Sequence, residues 1–300
     1  MTTLSDVINQ IAERFERADL FYGHGTENAW DEAVYLVTQV LGVEDDRSLL
    51  AAPVDPGDVV RLLDLAQVRI QTRKPLPHIL GSARYLGLDF AVAEGVMIPR
   101  SPIGGALADG QMDRWLPSSV AHVLDLCAGT GCLGIVAAHV FGAAKVDLLE
   151  IDSQAIALCQ QNILAHGLVE RVQVIEGDVF AESFGAAAQL VDKYDLILAN
   201  PPYVSESQMG LLPEEYRFEP EAGLASGKQG LAHMEAILAQ LPRYLTADGL
   251  FVGEVGATQP TFQAQLPGLN ATWLDLPYGG EGVFLLEGQD ISSHTARQST

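Results

Sequence analysis

Basic residues are scarce in this 300-residue chain. Seventeen Lys and Arg stand against thirty-nine Asp and Glu, a formal net charge of −22. A polyphosphate backbone is repelled on average by such a surface. No Lys/Arg cluster of useful length appears, so direct binding of nucleic acid is not expected. A highly basic protein would instead be steered inward, although acidity also serves solubility and names no partner by itself. Cysteine is equally rare. Cys127, Cys132 and Cys159 have no metal-ligand spacing, so no metal site is expected. An odd, low count points to a reducing compartment, and a cytoplasmic location is the expectation. Residues 126–144 carry no Asp, Glu, Lys or Arg and have the length of a membrane span. Four glycines, Thr130 and His139 interrupt it, and no membrane association is expected. The amino terminus has no charged-then-apolar signal pattern. Internal repeats and low-complexity segments are absent.

What is present is concentrated in a few short motifs. Asn200-Pro201-Pro202-Tyr203 follows the apolar run Leu196-Ile197-Leu198-Ala199. The run reads as a buried strand that the two prolines stop at once. An Asn amide, a bare carbonyl and an aromatic ring therefore stand at the carboxyl end of a strand, the edge where open α/β sheets bind ligands. An amide or aromatic amine nitrogen is a poor nucleophile because its lone pair is delocalised. Asn200 can accept one of its N–H groups and the Pro201 carbonyl the other. The lone pair is then aimed at an electrophile, with the Tyr203 ring as a wall. Asn-Pro pairs also end strands with no further role.

A second motif lies upstream. Residues 120–126 read as a strand, followed by Cys127-Ala128-Gly129-Thr130-Gly131-Cys132-Leu133-Gly134 and a helical pattern through Ile135, Val136, Val140 and Phe141. This G-x-G-x-x-G string fits a dinucleotide site. It equally fits S-adenosylmethionine, which two details favour. Asp125, four residues before the first glycine, can meet a cationic amino group. The ligand carboxylate can lie on backbone N–H groups around Gly129, Thr130 and Gly131. Residues 145–150 read as a second strand ending in Glu150, a candidate acceptor for ribose hydroxyls. Asp147 and Asp152 are near alternatives, and a nicotinamide dinucleotide would use the same acid. Residues 172–175 form a third strand leading to Asp178, a candidate acceptor for the adenine amine. Taken alone, Asp178 reads as a turn aspartate. Packing accounts for Cys127 and Cys132 better than catalysis does.

The remaining pattern divides the chain. Val7, Ile11 and Phe15, then Ala33, Leu36, Val37, Val40 and Leu41, then Val59, Leu62, Leu63, Leu65 and Val68 recur at helical spacing, punctuated by Pro53, Pro56 and Gly57. Residues 1–82 are read as a small helical domain and 83–98 as a β-hairpin linker around Gly87 and Gly95. Strands and helices alternate from about residue 115 to 288, which implies a parallel sheet within a domain of residues 99–288. Gly279-Gly280 before residues 283–286 suggests a closing strand pair. The polar residues 289–300 are read as a frayed tail.

Together the glycine loop, the acids and Asn-Pro-Pro-Tyr resemble class I methyltransferases that modify a glutamine side-chain amide. Two segments resemble the branch acting on the third protein of the large ribosomal subunit: residues 21–33 (Phe21-Tyr22-Gly23-His24 onward, with Trp30) and Ile98-Pro99-Arg100-Ser101-Pro102-Ile103-Gly104. Glu215-Tyr216-Arg217, Glu219-Pro220 and Gly223 to Gly227 are similar to that branch as well. The resemblance covers residues 15–287 and implies a seven-stranded, Rossmann-like α/β domain behind a helical recognition domain. It implies methyl transfer from S-adenosylmethionine to a glutamine nitrogen of a basic ribosomal protein. Asn200, Pro201 and Tyr203 would be catalytic, and Pro202 would join them in holding substrate. Asp125, Gly129, Thr130, Gly131, Glu150, Asp178 and Asn200 would line the cofactor site. Two positions depart from the pattern: Gly105 replaces the usual acid, and His78 replaces a common Tyr. Residues 106–110 look like poor helix material. Release-factor methylation is the nearest rival, differing at residues 100–103 and 21–33. Nucleic-acid amine methylation conflicts with the charge, and a nicotinamide dehydrogenase leaves Asn-Pro-Pro-Tyr unexplained.

Overall fold

The computed structural model describes residues 1–43, 47–186, 188–276 and 280–291. The amino-terminal helices form where the apolar spacing places them. α1 (Leu4–Arg17) starts with a reciprocal cap between Thr3 and Asp6 and buries Val7, Ile11 and Phe15. α2 (Ala29–Leu41) is capped by Asn28, whose Oδ1 accepts the Asp31 N–H. α3 (Pro56–Thr72) starts with Asp55 as cap and Pro56 in its first turn. With the short α4 (Leu76–Leu80), these helices enclose a core that includes Phe15, Leu36 and Leu62. Each such side chain contributes ~1.5–3 kcal/mol by leaving water.

β1 (Ser82–Tyr85) and β2 (Leu88–Ala91) pair antiparallel around Leu86-Gly87. The hairpin is shorter than the sequence pattern predicts. Gly95 lies outside it and donates its N–H to the Phe218 carbonyl at 2.9 Å. A short helix, α5 (Pro102–Ala108), then forms and stops inside the stretch 106–110 that reads as poor helix material. Ser101 caps it, Pro102 opens it, and Ile103, Ala106 and Leu107 are buried. Burial outweighs the weak propensity of its two glycines. One of them is required, since a Cβ on Gly104 would collide with the Tyr85 hydroxyl.

The rest is a seven-stranded sheet with helices on both faces. Its elements are β3 (His122–Leu126), α6 (Cys132–Val140), β4 (Lys145–Glu150), α7 (Ser153–Ala165), β5 (Val172–Glu176) and β6 (Tyr194–Ala199). There follow α8 (Glu206–Met209), α9 (Glu221–Leu224), α10 (Ala232–Tyr244), β7 (Leu245–Glu254), α11 (Gln259–Gln265), β8 (Thr272–Trp273) and β9 (Val283–Glu287). The strand order is β5-β4-β3-β6-β7-β9-β8, with β9 antiparallel to β7. β9 thus forms on residues 283–287 as suggested, between β7 and the edge strand β8, while Gly279 lies outside the described residues. Strand order reverses between β3 and β6, which opens a crevice at their carboxyl ends. Ile291, within the segment read as a tail, is buried in the core beneath the sheet. Residues 292–300 lie outside the described residues. Among the described residues, no helix is long and apolar enough to cross a membrane, and no group of His, Cys, Asp and Glu has metal-binding geometry.

Candidate active site

Every sequence-nominated site residue except Gly131 lines one cavity of about 870 Å³ at the switch point. Gly131 is buried at the start of α6. The cavity is at the large end of the range for small-molecule sites. Asp125, near the end of β3, is 1% exposed. Its Oδ2 accepts the Gly134 N–H at 2.8 Å, while its Oδ1 has no hydrogen-bond partner. Burial pushes this carboxyl up to about 7, partly offset by the Gly134 bond and reinforced by the nearby Glu150 charge. An unpartnered buried carboxylate oxygen beside a cavity suits a cationic amino group. The adjoining loop leaves room for one: Gly129 adopts φ +58°, and a Cβ there would meet nothing within 4 Å. Burial pushes the Cys132 thiol up to about 12 and raises Cys127 well above its ordinary value, so neither is a ready nucleophile.

Glu150 stands at the end of β4. Its Oε2 accepts the Gly129 N–H at 2.7 Å, and its Oε1 accepts from Ile151 and Asp152 at 2.8 and 3.0 Å. Three of roughly four lone-pair sites are therefore used by backbone. One site on Oε2 is left for a ligand hydroxyl, where the sequence reading foresaw two. The rival acids are otherwise engaged. Asp147 accepts from Tyr194 and Gln173, and Asp152 caps α7. Asp178 Oδ1 accepts the Phe180 N–H at 2.9 Å, and both residues line the cavity.

Asn200 follows β6, which pairs with β3 on one side and β7 on the other. Its side chain and the Pro201 carbonyl make no hydrogen bond among the described residues. Both residues line the cavity, and neither group is paired. Tyr203 differs, because its hydroxyl donates to Glu254 Oε1 at 3.1 Å. Burial and the adjacent Glu254 charge raise the Tyr203 phenol far above its ordinary value. Phenolate chemistry is thereby excluded near neutral pH.

The segment 213–224 roofs part of the cavity and is fastened by buried charge. Arg100 donates to both oxygens of Glu219, at 2.5 and 2.7 Å, and the Ile98 N–H joins them. Burial would raise Glu219, but Arg100 and then His24 outweigh it and hold the carboxyl well below the usual range. Glu215, fully buried, accepts from Arg73 at 2.8 Å and from the Phe21 N–H at 3.0 Å. Arg69, 1% exposed, donates to Glu32 and to the Phe21 carbonyl. Phe21 packs against Tyr216, yet it and Trp30 remain 37% and 39% exposed. His78, the other departure, is buried with Nε2 3.1 Å from the Val96 carbonyl, and burial lowers its pKa. Gly105 does not line the cavity. Sequence reasoning missed Glu254, whose one local signal is its position at the end of an apolar strand beside β6. The weight of Glu215 and Glu219 was legible only as part of a family pattern.

A reversed-order sheet of seven strands with an acid-lined crevice at its switch point defines a class I methyltransferase. Residues 112–212 match the methyltransferase small domain family. The solved catalytic domain of hMettl16 in complex with MAT2A 3′UTR hairpin 6 shares the fold alone, with a TM-score of 0.52 at 14% identity. That alignment covers 78% of this chain and 82% of the other. Over nearly its whole length the chain is similar to the ribosomal protein uL3 glutamine methyltransferase of Bordetella pertussis (strain Tohama I). It is 39% identical over 297 residues, 98% of this chain and 97% of the relative. The counterpart from Francisella tularensis subsp. tularensis is 35% identical over 288 residues, 95% and 90% of the two chains. The chain belongs to the ribosomal protein uL3 glutamine methyltransferase family.

Proposed function

We propose that this protein transfers a methyl group from S-adenosylmethionine to the side-chain amide nitrogen of a glutamine in ribosomal protein uL3. One observation carries the reading. Asn200 and Pro201 line the cavity side by side with an amide oxygen and a carbonyl that no protein group pairs, the two acceptors that a nitrogen bearing two N–H groups requires. When bound, S-adenosylmethionine supplies the electrophilic methyl group and a neutral leaving group. Asp125 Oδ1 would meet its amino group, the backbone around Gly129, Thr130 and Gly131 its carboxylate, Glu150 a ribose hydroxyl, and Asp178 the adenine amine. Asn200 borders both ligands. Asn200 and Pro201 hold the acceptor nitrogen by its protons, Pro202 shapes the turn, and Tyr203 walls it. Orientation of this kind is worth several kcal/mol of barrier. The methylated nitrogen is acidic, so water suffices to take its proton, and no protein base is invoked.

The partner reading follows from charge and placement. A surface at −22 attracts a basic ribosomal protein and repels nucleic acid. Residues 1–82 are assigned to partner recognition, with the half-exposed Phe21 and Trp30 as contacts. Residues 83–98 are the linker, 99–288 the methyltransferase domain, and the protein is assigned to the cytoplasm. The test is methylation of purified uL3 and purified release factor side by side, with the product mapped by mass spectrometry. Label on a uL3 glutamine is expected. Preference for the release factor, or label on nucleic acid in an extract, would overturn the assignment.

A further inference from the structure

Behind the Asn-Pro-Pro-Tyr turn lies a carboxylate that no step above uses. Glu254 ends β7, one residue beyond the pairing of Ala199 with Gly253. It is 5% exposed and lines the cavity. Each of its oxygens takes one hydroxyl, Tyr203 on Oε1 at 3.1 Å and Ser101 on Oε2 at 2.5 Å. Ser101 is itself fixed. Its Oγ accepts the Ile103 N–H, and its carbonyl accepts the Tyr85 hydroxyl. One carboxylate therefore ties the Arg-Ser-Pro-Ile segment to the acceptor turn. Beside the hydroxyl-bearing end of the ring, Tyr203 rests on Gly256. A Cβ there would lie 2.6 Å from the ring Cε2, and φ is +46°. The ring is held at its hydroxyl and along the adjoining edge.

We propose that Glu254 is a positioning residue for the glutamine acceptor. Through Tyr203, and braced by Ser101, it sets the wall against which the side-chain amide is aligned with Asn200 and Pro201. Three observations favour this over simple packing. A buried carboxylate is costly, and packing alone would be met by an apolar side chain. Both of its oxygens are satisfied, and one of the donors is the aromatic hydroxyl of the acceptor turn. The same carboxylate gives the Arg100-Ser101-Pro102-Ile103 segment a task, because Ser101 is the residue that reaches it. The inference rests on the methyl-transfer reading above.

The experiment uses the full chain with purified uL3 as acceptor. It compares the wild type with Glu254→Gln, Tyr203→Phe, Ser101→Ala and the double variant Tyr203→Phe/Glu254→Gln. For each, kcat, KM for uL3, calorimetric affinity for S-adenosylmethionine and Tm are measured. Glu254→Gln is expected to lower kcat about 10- to 100-fold, the scale on which small misplacements act. Cofactor affinity and Tm are expected to stay near wild type. Tyr203→Phe is expected to lose a similar factor, and the double variant no more than the worse single, because both changes break one linkage. Wild-type turnover in Glu254→Gln, losses that multiply in the double variant, or a defect confined to Tm or cofactor affinity would each overturn the proposal. If Glu254→Gln does not fold, Ser101→Ala combined with Tyr203→Phe applies the same non-additivity test from the hydroxyl side. A wild type that methylates no uL3 glutamine would instead overturn the functional reading, and this inference with it.

Discussion

Asn200→Ala removes an amide that holds nothing in the protein itself. Among the described residues its side chain makes no hydrogen bond, and it borders the cavity. Truncation breaks no internal bond and opens no sealed void, because the space vacated joins the cavity. The expected change in folding stability is within about 0.5 kcal/mol, as for surface positions. For a chain of this size that is a Tm shift of about 1–2 °C. The effect on transfer is of another order. One of two acceptors for the reacting nitrogen is gone, and loss of a single positioning hydrogen bond in a transition state costs ~10²–10³ in rate, about 2.7–4 kcal/mol. The cofactor contacts at Asp125, Glu150 and Asp178 are untouched, so S-adenosylmethionine affinity is expected to hold. Thermal unfolding, calorimetric titration and turnover at saturating uL3 separate the three quantities. Near-wild-type turnover would refute the nitrogen clamp. A large Tm loss in step with activity would refute the claim that Asn200 has no structural duty. Asn200→Asp adds a distinct check: it keeps an acceptor but places charge beside a sulfonium, so it is expected to bind cofactor and transfer poorly.

Glu150→Ala is expected to weaken S-adenosylmethionine binding by ~10–100-fold, the scale of one charged hydrogen bond, with a smaller effect on kcat at saturation. Asp178→Ala is expected to weaken binding less, by about 1 kcal/mol. Unchanged calorimetric affinity in both would place the nucleoside elsewhere. Burial raises the Asp125 carboxyl from 3.8 to about 7. A cationic amino group prefers the ionised form, so cofactor affinity is expected to climb as pH rises toward 7 and to level above it. Asp125→Asn is expected to flatten that profile. The folded state holds this proton more tightly than the unfolded chain, so the Asp125 contribution to stability falls between about pH 4 and 7. Denaturant titrations of the Asn variant are expected to lack that decline. Arg69→Met leaves Glu32 without its guanidinium and weakens the pairing of Glu215, and is expected to cost about 3–5 kcal/mol. An unchanged melting curve would show that the buried ion network does not hold the front helices.

Much of the sheet was readable from local pattern. Residues 145–150 and 172–175 are short segments built on Val, Leu and Ile with turn residues after them, and β4 and β5 form on them. The two prolines after Ala199 announced the end of β6. Local pattern failed where partners are remote. Glu254 and Ser101 lie 153 positions apart, as Arg100 and Glu219 lie 119 apart. Nothing near any one of them marks it as paired. α5 was missed for a related reason. Its glycines lower propensity, and the stabilising burial of Ile103 and Leu107 depends on a sheet that forms later in the chain. Glu150 lines the cavity, but its spacing overstates its free acceptor capacity, since backbone donors from its own loop are invisible to spacing.

The ion network of Glu32, Arg69, Arg73 and Glu215 bears on how this protein can be recombined. Residues 214–218 belong to the carboxyl-terminal half by sequence, yet Glu214 and Glu215 are answered by Arg69 of α3 and by Arg73 just beyond it, and Arg69 also pairs Glu32 of α2. A chimera that takes its front helices from a sister enzyme and keeps residues 214–218 would pair mismatched halves of one lock. It would lose the cavity roof before any question of specificity arose. The unit of exchange is therefore discontinuous, the front helices together with the roof segment, and residues at 32, 69, 73 and 215 must change as a set.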